Sequence, residues 1–579
     1  MKKTVSQIIY DSISKKVSTA YIFSGGSIMH LINHFHPKNN YNNIKYYVPS
    51  SEQSSSFASI GHNKSLNKLD SVVITTSGPG ITNSLTGLCD AYYDGVPFLL
   101  ISGDVSTTSK GKHSFQECPS IELTQSITHW NHSITDSSEV EEVMNHAYYL
   151  TKNNKTVHIN IPKDILSSLS SIEINNNKFN ENIIKPNMIS INLHVKYVAS
   201  IINNSNKCVL YVGKGCNEAY KELLLLATKA NIPVTTTLHG LGCFDESNKL
   251  SLKMIGMHGS ERSNNCIQNA NVIICIGARF DDRTTGNISK YAPNAKHIIH
   301  VNSDLSCFNK VLKNTYNIHA YSKDFLNLLL PLIKDKNDNT QNKQWIDFLT
   351  KYTLSFPFIN HGLKQQHIIT ILDELLEKKK KKENLYITTG VGNHQMYTAQ
   401  LITHKYPNRF ITSGSLGTMG YSNSSAIGAK IANPDKIILS IDGDQSFNML
   451  NDLKMIMNYN IAIKIIIMND SKQSMVNVWE KLFFDNNIVA TESTNPNYEL
   501  LSNAFNIKCI TLHENMNYDE IYKCINYFLD YDLKKSIILN CIVESDFCLP
   551  LVPPGNALDN MITRNNINKY KIDKSVAPS

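Results

Sequence analysis

No two cysteines of this 579-residue chain are spaced C-x-x-C, although twelve are present. That absence removes the usual sequence signs of a zinc site, and the scattered spacing outlines no disulfide framework. A reducing, cytoplasmic compartment is the expectation. No apolar run reaches the roughly 18 to 20 residues that a membrane span needs, so no membrane segment is expected. The opening MKKTVSQIIYDS passes straight into a helix-then-strand pattern and leaves no visible targeting leader. Excess charge is scarce as well: the formal net charge is only +7. The lysines are scattered among asparagines, which reads as a biased surface and not as a nucleic-acid face. The densest run, Lys378 to Lys382, follows the helical pattern ITILDELLE and is expected to be a solvated helix end.

What is present is 41% hydrophobic, enough for several buried cores, on a chain long enough for three or four domains. One theme recurs: an apolar strand, a glycine turn, then a helix. It appears in VVITTSGPGITNSL, in CVLYVGKGCNEAYKELLLLA and in KIILSIDGDQSFN. Strands alternating with helical segments predict α/β domains with doubly wound parallel sheets. The Asn-rich stretches near 170–190 and 334–345 read as linkers. They divide the chain into an N-terminal domain (1–170), a central domain (190–335), a C-terminal domain (360–550) and a tail (551–579). In such sheets ligands sit at the carboxyl ends of strands, where helix N-termini present N–H groups.

Two strand ends stand out. KIILSIDG ends at Asp444, a helix-like run SFNMLNDLKMIMNY follows, and the next strand, IAIKIIIM, ends at Asn469-Asp470-Ser471-Lys472. A right-handed crossover would bring Asp444 and Asp470 to one sheet edge. Two carboxylates plus loop carbonyls form half of the octahedral oxygen set that Mg²⁺ prefers, and Mg²⁺ completes such sets with phosphate oxygens and water. A lone Gly-Asp after a strand is more simply a turn or helix cap. The second acidic strand end favours the metal.

G-D-x, about 25 residues, then N-D resembles the metal and diphosphate signature of the thiamine-diphosphate enzymes. Longer matches, GARFDDRTTGNISKYAP, PVTTTLHGLGCFDE, ITTGVGNHQMY, SGSLGTMGY and LPLVPPG, are similar to the acetolactate synthase (acetohydroxyacid synthase) branch of that family. The resemblance implies Mg²⁺ on Asp444, Asp470 and the carbonyl of Lys472. It implies a diphosphate held by Val391, Gly392, Asn393 and His394, with Gly443, Gln445, Ser446 and Met475 around the cofactor. Met419, beside Gly417, would wedge under the cofactor and keep it bent. Glu52 would share a proton with the aminopyrimidine ring. Gln116 and Lys163 would be catalytic, and Phe115, Val476 and Trp479 would line the substrate channel. Gly213, Gly215, Met257, His258, Arg279, Asp281 and Arg283 would serve a structural FAD in the central domain. The implied reaction decarboxylates pyruvate and joins the two-carbon unit to a second 2-keto acid. A homodimer or tetramer, with a separate regulatory subunit as a further partner, is implied too.

The match departs from the family at small residues. Ser54, Ser415, Ser422 and Ser474 stand where the family has glycine, Asp470 stands for Asn, and Asn153 stands for an Arg that contacts FAD. A Cβ at a strained glycine position costs roughly 1–3 kcal/mol, so strain and reduced activity are the expectation. Two alternatives stay open at this level: a sister pyruvate oxidase or decarboxylase, and a non-catalytic cofactor-binding homologue.

Overall fold

The computed structural model describes residues 3–39, 44–170, 184–352 and 362–568. Three six-stranded sheets, parallel throughout, follow one another along the chain. The first holds β1 (Thr19–Phe23), β2 (Lys45–Tyr47), β3 (Ser71–Thr75), β4 (Phe98–Asp104), β5 (Trp130–Ser133) and β6 (Thr156–Pro162). The second holds β7 (Cys208–Val212), β8 (Val234–Thr236), β9 (Ser251–Met254), β10 (Val272–Ile276), β11 (His297–Asn302) and β12 (Tyr316–His319). The third holds β13 (Leu385–Thr389), β14 (Phe410–Thr412), β15 (Ile437–Gly443), β16 (Lys464–Asn469), β17 (Lys508–Leu512) and β18 (Ile537–Ile542). The central strands are buried on both faces because helices cover each side, which is why they read as unbroken apolar runs.

The first and third sheets share one strand order, β2-β1-β3-β4-β6-β5 and β14-β13-β15-β16-β18-β17. The middle sheet runs β12-β11-β10-β7-β8-β9, the doubly wound order whose direction reverses between β7 and β10. The two like domains meet through the helices Glu52–Leu66 and Tyr421–Ala432. Their contact faces are small: Ser55, Ala58, Ser59, Ser424, Ser425 and Ala429 are all fully buried. At the crossing a Cβ on Gly61 would fall 2.1 Å from the carbonyl oxygen of Ser425, and one on Gly428 would fall 1.8 Å from that of Ala58. Only glycine lets the backbones approach so closely.

Beyond β18 the chain returns to the middle domain. Val552 N–H donates to Met257 O at 2.8 Å, and Asn287 Nδ2 donates to Gly555 O at 2.9 Å. No helix among the described residues is long and apolar enough to cross a membrane.

Three local expectations change. Within 334–345, Thr340–Leu349 is a helix and not a linker, because Trp345 inserts into the middle domain and its indole N–H donates to Cys208 O. The run after Asp444 breaks into two helices, Asp444–Met449 and Leu453–Tyr459. Asp452 leaves the helical path at φ 51° and its carboxylate accepts Ser50 N–H at 3.2 Å and Ser424 Oγ at 2.5 Å. The lysine run is not simply solvated: Lys379 and Lys381 pair with Asp530 at 2.6 and 3.0 Å, and buried Lys382 lies 2.6 Å from Asp373. Part of the stretch near 170–190 lies outside the described residues.

Candidate active site

β15 and β16 are adjacent and in register, with Gly443 opposite Met468, so the residues that follow them emerge side by side. Asp444 opens a helix there and is buried. Its Oδ2 accepts Ser471 N–H at 2.8 Å and Asn495 Nδ2 at 2.5 Å, and its Oδ1 accepts Gln445 N–H at 2.9 Å. Burial, with the Asp470 charge adding to it, pushes the Asp444 carboxyl up to about 6 even against the Asn495 hydrogen bond. Asp470 is raised by burial as well, and its Oδ2 accepts from Ser474 and Ser545 hydroxyls. The Lys472 ammonium turns away to Glu492 at 3.1 Å, leaving its backbone at the site. Among the described residues no three His, Cys, Asp or Glu side chains gather as a metal cluster, so the site offers two carboxylates and backbone carbonyls.

Next to this pair lies the turn Val391–His394. Gly392, at φ 129°, leads into the helix Asn393–Leu401. The His394 imidazole fills a notch between two glycines: a Cβ on Gly390 would lie 2.9 Å from its Nε2 and one on Gly443 would lie 2.9 Å from its Cε1. Burial drives His394 down to about 3, so it is neutral, and its buried Nε2 has no hydrogen-bond partner. Asp442 Oδ1 is 3.6 Å away, and burial lifts the Asp442 carboxyl to about 7. Asn393 Nδ2 donates to Asp546 O at 3.3 Å. Across the cleft stands the loop bearing Gly417 and Met419, where a Cβ on Gly417 would contact Val391 Cγ1 at 3.7 Å. Ser446 Oγ accepts Gly420 N–H at 2.8 Å and fixes the end of that loop. Met475, Val476 and Trp479 follow on the helix Ser474–Phe483, with Val476 exposed and Trp479 edge-on to Phe483.

A second group sits in the first domain. Glu52 opens its helix, is buried, and accepts Asn83 Nδ2 at 3.0 Å through Oε2. Gln116, at φ 62°, lies against Gly78 of the S-G-P-G turn. Phe115 and Lys163 are exposed. No hydrogen bond or ion pair among the described residues joins Glu52 to Asp444, Asp470 or His394. The segment leading into Glu52 is bonded to the third domain elsewhere, through Ser50 N–H to Asp452 Oδ1 at 3.2 Å.

The third group is central. Gly213 and Gly215 follow β7 and lean on the turn after β10, where a Cβ on Gly215 would lie 2.7 Å from Gly277 Cα. Arg279 donates to Tyr93 O at 2.6 Å and to Ser415 Oγ at 3.0 Å. Asp281 caps a short helix by accepting Thr284 N–H at 3.1 Å. Arg283 Nη1 lies 3.3 Å from Met257 Sδ, and buried His258 is pushed down to about 4.

The expected strain at the substituted glycines is absent. None of Ser54, Ser415, Ser422 and Ser474 has a positive φ. Each side chain or backbone is bonded instead: Ser54 N–H to Ser51 Oγ, Ser422 Oγ to Ser440 Oγ, Ser474 Oγ to Asp470, and Ser415 Oγ between Arg279 and Tyr93 O. Asn153 caps its own helix by donating to Tyr149 O at 2.8 Å. Sequence reading missed Asn495, whose amide also reaches Asn469 Oδ1 at 2.8 Å. Its position in T-N-P-N marks a turn and nothing more.

Three family models cover these domains: thiamine pyrophosphate enzyme, N-terminal TPP binding domain, at 3–123; central domain, at 195–329; and C-terminal TPP binding domain, at 390–538. The chain belongs to the thiamine pyrophosphate enzymes. Its curated relatives within that class are acetolactate synthases. The mitochondrial acetolactate synthase catalytic subunit of Saccharomyces cerevisiae is 32% identical over 96% of this chain and 83% of its own length. The acetolactate synthase large subunit of Lactococcus lactis is 33% identical over 96% of both chains. The chloroplastic enzyme of Arabidopsis thaliana is 31% identical over 97% of this chain and 84% of its own.

Proposed function

We propose that this chain is an acetolactate synthase catalytic subunit. It decarboxylates pyruvate and joins the two-carbon unit to a second 2-keto acid, giving 2-acetolactate or 2-aceto-2-hydroxybutyrate. The observation that carries this reading is the buried pair Asp444 and Asp470 at neighbouring strand ends, beside the His394 turn. Two desolvated carboxylates with raised pKa values are relieved by a divalent cation, and with the Lys472 carbonyl they suit Mg²⁺. The N–H groups opening the Asn393–Leu401 helix, and the neutral imidazole beside them, suit a diphosphate.

Thiamine diphosphate, when bound, supplies the nucleophilic carbon and the electron sink of the reaction. The protein supplies position, dryness and proton control. Asp444 and Asp470 hold the cation, and the Val391–His394 turn orients the diphosphate. Met419, on a loop fixed by Ser446, would support the cofactor. Glu52 has Oε2 occupied by Asn83, which leaves Oε1 to hold the proton shared with the aminopyrimidine ring. A homodimer that sets the Glu52 of one protomer against the metal site of its partner would complete the site. Val476 and Trp479 line the approach of the second keto acid.

FAD in the central domain is supported by the β7/β10 reversal of strand order, with Gly213, Gly215 and Arg279 at that crevice. A flavin absorbance scan of the purified protein tests it.

With Mg²⁺ and thiamine diphosphate, the purified protein converts pyruvate to acetolactate. Glu52→Gln lowers turnover by about 10²-fold or more while cofactor binding persists. Acetaldehyde or acetyl phosphate as the sole product overturns the carboligase reading, and no CO₂ release overturns the enzyme.

A further inference from the structure

Three domains converge on the last turn of the helix Leu85–Tyr93. Asp94, its fully buried cap, takes the Lys64 ammonium on Oδ2 at 2.6 Å. His239 of the middle domain lies with Nε2 3.0 Å from Asp94 Oδ1, in contact though not aligned as a hydrogen bond, and burial holds its imidazole below the usual histidine range. The same carboxylate accepts Gly414 N–H at 3.2 Å and Ser415 N–H at 2.9 Å from the third domain. One turn earlier, Asp90 Oδ2 accepts Ser413 Oγ at 2.5 Å and Thr418 Oγ1 at 3.0 Å. The carbonyls of this turn are taken too. Lys214 donates to Asp94 O and Gly95 O at 3.2 and 2.8 Å, and Arg279 donates to Tyr93 O. Ser415, at a position the family fills with glycine, adds a hydroxyl that donates to Tyr93 O at 3.2 Å and accepts from Arg279.

The bonds from Asp90, Asp94, Tyr93 O and Arg279 to Ser413, Gly414, Ser415 and Thr418 act directly on 413–418, the segment that leads into Met419. Those of Lys64, His239 and Lys214 hold the Asp94 turn that anchors it. His239 packs against the segment with the Nε2 end of its ring: a Cβ on Gly414 would fall 2.2 Å from the imidazole Nε2. The segment contains two glycines and has no regular secondary structure of its own, so its position is imposed from outside. Charge-assisted hydrogen bonds to a buried carboxylate are the strongest available for that purpose.

We propose that Asp94, with His239, Ser415 and Arg279, forms a three-domain latch that positions the 413–420 loop, so that the middle domain sets the placement of Met419. Asp94 is a positioning residue and touches neither metal nor substrate. The inference rests on the cofactor assignment above for its functional consequence, while the latch itself is independent of it.

The test uses the full chain and three variants: Asp94→Asn, His239→Gln and Ser415→Gly. Hydrogen exchange of the cofactor-free protein should show the 410–420 peptides exchanging about tenfold faster in Asp94→Asn, with peptides from β15 and β16 unchanged. Ser415→Gly, which removes the hydroxymethyl group and leaves the buried Asp94 charge in place, should show a smaller acceleration in the same peptides. In turnover, each variant should raise the thiamine diphosphate concentration for half-saturation by about tenfold or less, with kcat at saturation kept within about twofold. Asp94→Glu should restore part of the loss. Unchanged exchange at 410–420 in both His239→Gln and Ser415→Gly overturns the latch, even if Asp94→Asn fails to fold. Faster exchange at 410–420 in the variants, with a wild-type protein that binds no thiamine diphosphate, upholds the latch and overturns the functional assignment instead.

Discussion

Asn495 donates its amide to Asp444 Oδ2 at 2.5 Å from a loop 51 positions further along the chain. The same amide reaches Asn469 Oδ1, so one side chain ties the end of β15 to the end of β16. It orients the Asp444 carboxylate and lowers the cost of its charge in a buried setting.

Asn495→Ala should therefore weaken Mg²⁺ binding by roughly 10- to 100-fold, the usual range for a partner of a metal ligand. Calorimetric titration of Mg²⁺ with thiamine diphosphate present checks it. Asn495→Asp should weaken Mg²⁺ binding less than Asn495→Ala, because the cation relieves the repulsion that the added carboxylate brings.

Glu246 provides a pH signature away from the site. It is buried, its Oε2 accepts His404 N–H at 2.9 Å, and its Oε1 has no hydrogen-bond partner among the described residues. Burial raises its carboxyl from the ordinary 4.5 to about 7. The folded chain thus binds this proton more tightly than the unfolded chain. The stability this gives is fully present below about 4.5 and is lost as pH rises through about 7. Glu246→Gln should flatten that slope and gain on the order of 2–3 kcal/mol over wild type at pH 8. Denaturant melts at pH 5 and pH 8 measure the difference, and equal gains at both would contradict the assignment.

Gly428→Ala should destabilise the joint between the first and third domains. The new methyl would meet the Ala58 carbonyl at 1.8 Å, and neither helix can move without disturbing its sheet. A loss of about 1–3 kcal/mol or more is expected, read as a lower thermal midpoint. Ala429→Gly on the same face should cost no more than about 1 kcal/mol.

Much of this fold was legible because its central strands are buried on both faces. VVIT in β3 and IILSI in β15 carry no polar alternation to confuse the reading. The edge strands β2 and β5, KYY and WNHS, were not legible. They are short and half-wet, and their ladder bonds to β1 and β6 define them more than their composition does. Thr340–Leu349 was hidden by its asparagines, since it buries only Trp345, Leu349 and Asn342. The two strand-end acids, Asp444 and Asp470, were readable because both sit one step past an apolar strand. Asn495 and Asp94 were not. Their partners lie 51 and up to 321 positions away, a separation that no local pattern records. The serines at family glycine positions show the converse limit. Sequence counts the added Cβ but not the hydroxyl's new partner, such as Arg279 beside Ser415.

The segment after β18 fastens onto the middle domain, Val552 N–H to Met257 O and Asn287 Nδ2 to Gly555 O, while Leu551 and Ile562 within it exchange backbone hydrogen bonds at 3.0 and 2.7 Å. The polypeptide thereby makes a circuit: it leaves the second body, builds the third, and is stitched back to the second. A body tethered at both ends of its neighbour can be sheared only by ripping a seam. Loosening those few stitches should unfasten the second and third bodies without unravelling either.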